Sequence, residues 1–182
     1  MIAMRTFVKL LAALAGVAAL GIGSTAAAAP SMSREWVPGS ALAPYRALSP
    51  SYADPSALGD GWVEVADLAG ITCIADPAGS GAMGVHFANL DRLLDGVIDP
   101  SRPEAAVYEP RADGALHLVA FEYIVFQSQV DQAPELFTGH PFMATGANNR
   151  FGLPAYYSQH VWVGKGNPLG NLAMWNRAVH CS

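Results

Sequence analysis

Four side chains of this sequence could do chemistry together: His86, Glu104, Glu122 and His160. Each falls in a stretch of β-type sequence. Strand side chains alternate between faces, so residues from three or four strands can meet on one sheet. Two imidazoles and one or two carboxylates make a shell for a divalent transition metal such as zinc. The same groups could instead form a metal-free acid–base pair. In a metal-assisted enzyme of hydrolase or lyase type, Glu122 would be the general base and the two histidines would be ligands. None of the four shows HxH or HExxH spacing. A strand His or Glu in a small domain is more commonly a hydrogen-bonded structural residue. A structural envelope protein with no site therefore stands beside the two site-bearing readings. An exposed aromatic patch around Trp162 and Trp175 would favour it.

The segments that must position these residues are short. Residues 116–126 are the strongest strand. Alternation there puts Leu116, Leu118, Ala120, Glu122, Ile124 and Phe126 on one face, apolar except for Glu122. A carboxylate on such a face needs a partner or becomes neutral. Residues 104–109 form the preceding strand, with Glu104 on the face of Ala106 and Tyr108. Asp113-Gly114 supplies the turn between the two. His86 lies in a strand over 83–87, flanked on its face by Gly84 and Ala88, which would leave room around the ring. His160 alternates with Ser158 and Trp162 in a strand over 156–163.

Elsewhere, residues 41–48 predict a short helix, and Asp54-Pro55 an N-cap with a brief turn. Leu90, Leu93, Leu94 and Val97 recur at helical spacing over 89–97. Residues 127–154 are polar and rich in Gly, Pro and Asn, with Leu136-Phe137 and Pro141-Phe142 as apolar anchors. Long ordered loops of this kind often cover sites.

The first 29 residues give an address. Arg5 and Lys9 precede an uncharged apolar run over 10–22, and Ala26-Ala27-Ala28-Ala29 follows. That order is the pattern of a secretory signal peptide. The apolar run is shorter than the about 20 residues that span a bilayer. Cleavage after Ala28 leaves 182 − 28 = 154 residues, the size of one domain. The predicted organisation is a signal peptide over 1–28, a linker with short helices over 29–62 and a β-rich domain over 63–182. Cys73 and Cys181 are the only cysteines. In an oxidising compartment they pair most simply as one disulfide. Losing Arg5 and Lys9 takes the net charge from −5 to −7. That argues against nucleic acid and anionic lipid, which require clustered Lys and Arg.

The fold class expected is α+β: one domain, mainly an antiparallel sheet, with a short N-terminal helical region and one disulfide. The expected partner is a small ligand or a metal ion, with no membrane span left once the leader is removed. The location expected is secreted or periplasmic. No nucleophile elbow, P-loop or dinucleotide fingerprint is present.

The sequence resembles a family of small secreted bacterial proteins of uncharacterised function. The resemblance is carried by Gly-Ala-Met-Gly-Val-His-Phe-Ala-Asn at 81–89 and Arg-Pro-Glu-Ala-Ala-Val-Tyr-Glu-Pro at 102–110. It continues through Leu-Val-Ala-Phe-Glu-Tyr at 118–123, His-Val-Trp-Val at 160–163, Asn167-Pro168 and the tail over 175–181. It departs from that pattern at Gly164, where Trp is usual, and at Arg177, where Pro is usual. The resemblance implies secretion and a shared fold, and it implies no reaction.

Overall fold

The computed structural model describes residues 35–181. The expected leader and its cleavage point lie outside the described residues. Among the described residues there are nine strands: β1 (Trp62–Glu64), β2 (Cys73–Ala75), β3 (Ala82–Asn89), β4 (Ala105–Pro110), β5 (Leu116–Phe126), β6 (Glu135–Phe137), β7 (His140–Pro141), β8 (Met143–Thr145) and β9 (Tyr156–Trp162). Seven of them form an antiparallel sheet in the order β1-β3-β4-β5-β9-β8, with β2 also on β3. β1 and β2 share one edge of β3: β1 pairs along Phe87–Asn89 and β2 along Ala82–Val85. β6 and β7 pair separately. The strand over 116–126 has the bounds expected. The loop over 127–154 holds three very short strands that carry too few residues to show a period.

Two short helices accompany the sheet: α1 (Ala43–Leu48) and α2 (Leu90–Asp95). The Asn89 side chain caps α2 by accepting from the Arg92 amide at 3.1 Å, and Gly96 closes it at φ 73°, where a residue without Cβ fits best. The Asp54 cap is also present, but on a 3-10 turn, Pro55–Ala57.

Both faces of the sheet are covered. On the first, Leu42, Tyr45 and Tyr52 pack over Ala106, Tyr108, Phe121, Tyr123 and Val161. The Tyr45 and Tyr123 rings meet edge to face at 5.9 Å, Tyr52 and Phe121 at 5.0 Å, geometries aromatic quadrupoles favour. The Tyr108 hydroxyl donates to the Tyr52 carbonyl at 2.8 Å. On the second face, the tail lays Val179 over Ala82, Val107, Val119, Ala120 and Trp162, and Leu93 of α2 packs with Phe126 and Tyr156. Cys73 and Cys181 are bridged, closing a sequence separation of 108 residues. No helix among the described residues is long and apolar enough to cross a membrane.

One expectation about faces needs correction. Leu116 and Leu118 do not share a face with Glu122; both pack in the first cluster with Phe121 and Tyr123. The cause is a bulge. Val107 pairs with Ala120, but Tyr108 pairs with Leu118, so β5 carries one extra residue and its alternation reverses there. The Val119 carbonyl instead accepts from the amides of Val163 and Gly164. A Cβ on Gly164 would overlap the Leu118 carbonyl oxygen, so this backbone admits no larger residue at 164.

Candidate functional site

Register decides which side chains meet. Ala88, Ala105, Glu122 and His160 stand opposite one another across β3, β4, β5 and β9. Directly opposed residues share a face. The adjacent row on that face is His86, Val107, Ala120 and Trp162. His86 therefore lies diagonal to Glu122, and the alanines at 88, 105 and 120 leave the imidazoles and the carboxylate room to approach.

They do approach. His86 Nε2 is 3.5 Å from Glu122 Oε2, and His160 Nδ1 is 3.8 Å from Glu122 Oε1. One ligand atom from each of the three lies within 4.8 Å of the others. A tetrahedral ion with bonds of about 2.0–2.1 Å holds its ligand atoms about 3.3 Å apart, so a small inward movement would complete such a shell. The two imidazole rings meet edge to face at 5.8 Å, and His160 stacks on Trp162 at 5.8 Å. Stacking fixes the His160 ring plane.

All three residues are buried: His86 is 4 % exposed, Glu122 7 % and His160 2 %. Burial pushes His86 down to about 4, against the pull of the Glu122 charge, and pushes His160 down to about 3. Both rings are thus neutral at physiological pH, the form in which imidazole ligates. Burial raises the Glu122 carboxyl above its ordinary value, while His86 and the Ser158 hydroxyl favour its charged form. His86 Nδ1 and His160 Nε2 are buried with no hydrogen-bond partner among the described residues.

Glu104 is not brought to this cluster. Its neighbour Ala105 stands opposite Glu122, so Glu104, one residue earlier, faces the other way with Tyr123. It is 1 % exposed, and its Oε2 accepts from the Ile124 amide at 2.9 Å, a tie between β4 and β5. Burial lifts its carboxyl to about 8. The folded protein therefore keeps a proton that the unfolded chain releases near pH 4.5. The stability this proton confers is complete below about pH 4.5 and is lost as pH rises through about 8. A shift of that size corresponds to on the order of 4–5 kcal/mol. Glu104→Gln should match wild type in urea melts at pH 4.5 and exceed it by a few kcal/mol at pH 9. Parallel pH profiles for the two proteins would refute this assignment.

A cavity of about 280 Å³ reaches the cluster, with His86 and Glu122 in its wall. Val65, Ala88, Leu93, Ala105, Ile124 and Tyr156 make most of its interior. At the mouth are Val63 and Leu90, 41 % and 45 % exposed. Phe151 and Leu153 come from the long loop over 127–154, which thus covers the cavity as its composition suggests. Arg150 anchors that loop: its guanidinium donates to Asp67 Oδ2 at 2.7 Å and to the Ala75 carbonyl at 3.3 Å. A larger depression of about 1110 Å³ runs along Val130 to Glu135, with no buried ionisable side chain in its lining.

Most of the cavity wall leaves no mark in the sequence: Ile124 alternates onto the Glu122 face, but Phe151 and Leu153 sit in a loop with no period. Gly84 was expected to leave space around His86. Instead it lets two strands close up, because a Cβ there would overlap the Tyr108 carbonyl oxygen; Ala88 makes the space. Trp162 is buried and Trp175 half-buried, so the two make no exposed aromatic patch.

No family profile, curated protein or solved structure shows significant similarity to this chain.

Proposed function

We propose that the protein binds one divalent transition-metal ion through His86, Glu122 and His160 and presents its open coordination position to a small ligand in the cavity. The carrying observation is the convergence of three buried, ionisable donors that satisfy no hydrogen bond with one another. The facing atoms, His86 Nε2, His160 Nδ1 and the Glu122 oxygens, are 3.5 and 3.8 Å apart, too far for short hydrogen bonds, and an ion of the kind that two imidazoles and a carboxylate select would bind them. Glu122 lies between the rings, so in this reading it is a ligand and not a free general base. A metal-assisted hydrolase or lyase is the second reading, favoured by the cavity beside the ion: a water on the open position would be activated there.

Export belongs to the same proposal. The leader pattern, the Cys73–Cys181 bridge and the resemblance to small secreted bacterial proteins support a secreted or periplasmic protein. The two short helices on a mainly antiparallel sheet support a single α+β domain.

The test is elemental analysis of untagged protein, purified after export and dialysed against zinc or cobalt. One equivalent per chain is expected. Protein that retains no metal at micromolar concentrations refutes the reading and leaves a structural role as the better account.

A further inference from the structure

We infer that the cavity takes a short-chain monocarboxylate, its head on the metal and its alkyl chain along the apolar wall. This rests on the metal reading above. A divalent ion held by one carboxylate and two neutral imidazoles carries a residual charge of +1. In a buried site such a charge calls for one anionic donor, and a tetrahedral ion with three protein ligands has one place for it.

The wall determines the rest of the ligand. Among the described residues no Lys or Arg lines the cavity, so the ion is what neutralises an anionic head, and the head points inward. Arg150 and Arg92 adjoin lining residues in sequence, but the Arg150 guanidinium is engaged with Asp67 and that of Arg92 donates to the Tyr52 hydroxyl and the Pro103 carbonyl. The chain then runs past Ala88, Leu93 and Ile124 toward Val63 and Leu90, whose exposed side chains offer apolar surface where it leaves. A volume of about 280 Å³ is at the small end for ligand pockets, which suits a few carbons and not a long lipid.

The experiment is calorimetric titration of cobalt-loaded protein with acetate, butanoate, hexanoate and octanoate, after metal stoichiometry has been measured. Each methylene should raise affinity about fourfold, the equivalent of about 0.8 kcal/mol per buried CH₂. Hexanoate should thus bind about 200-fold more tightly than acetate, with a plateau once the chain reaches the mouth. The visible cobalt bands should shift on binding. Leu90→Glu places a like charge beside the chain on an exposed position. It should weaken hexanoate at least about fivefold and leave cobalt stoichiometry unchanged.

A flat series on fully loaded protein overturns this inference and leaves metal binding standing. Equal hexanoate affinity in metal-free protein also overturns it, because the head would then have another anchor. Failure to load metal overturns both readings together.

Discussion

Glu122→Gln weakens zinc or cobalt binding by about 100-fold or more and leaves the fold at least as stable as wild type. The two effects separate because they have different causes. The amide keeps the shape of the carboxyl but loses its charge, and charge is what a dipositive ion requires of its third ligand. The effect should exceed the roughly 10- to 100-fold typical of groups that merely orient a ligand. Stability moves little because Glu122 makes no short ion pair: its contacts with His86 and His160 are 3.5 and 3.8 Å. Burial disfavours the Glu122 charge, so a neutral amide of the same shape that keeps a polar contact with Ser158 avoids that desolvation cost. Competition titration with a chelating dye reads the first effect, and urea melts of metal-free protein read the second. Unchanged metal affinity in the variant would rule out Glu122 as a ligand. A collapse in stability without metal would mark it as a structural residue.

Breaking the disulfide is the other large effect. Replacing Cys73 and Cys181 by Ser frees a chain end that closes a separation of 108 residues. For a loop of that size the chain-entropy treatment gives about 4–5 kcal/mol, and native bridges in small exported domains typically contribute about 2–5 kcal/mol. For a domain of this size each kcal/mol moves the melting point by roughly 2–4 °C, so Tm should fall by roughly 10 °C. The bridge also has a local task. The tail exchanges two backbone hydrogen bonds with β3, between Ala82 and Asn176, and it places Val179 over the row that contains Val107 and Ala120. Calorimetry of the double variant, or of wild type with and without reductant, decides the matter. Coincident melting curves would show that these short-range contacts alone hold the tail.

The convergence of His86, Glu122 and His160 was legible because each sits in a strand and the alternation around Glu122 holds from Ala120 to Phe126, on the far side of the bulge. What alternation does not supply is register. Alternation puts Glu104 on the face of Ala106 and Tyr108, but nothing in the sequence says that Ala105 stands opposite Glu122. Once that pairing is known, Glu104 must point to the other side. Leu116 and Leu118 failed for a related reason: a bulge leaves no mark in composition. The disulfide was legible because two cysteines leave one simple pairing. The cavity was not, because Phe151 and Leu153 reach it through a loop held by Arg150 and Asp67, residues 83 apart in sequence.

The extra residue in β5 acts as a reading frame for the sheet. Upstream of it, even-numbered side chains through Leu118 face the aromatic cluster under α1; beyond it, even-numbered side chains such as Glu122 face the imidazoles. Deleting Val119 would straighten β5 and leave Glu122 opposite Ala105. Inserting one residue between Leu118 and Glu122 would remove no donor and change the composition hardly at all, yet with the upstream pairing and a one-residue bulge kept it would turn Phe121 toward the histidines and Glu122 into the aromatic core. The cluster is thus encoded as much by a count as by residue identity, and substitution scans that preserve chain length are blind to that half of the code.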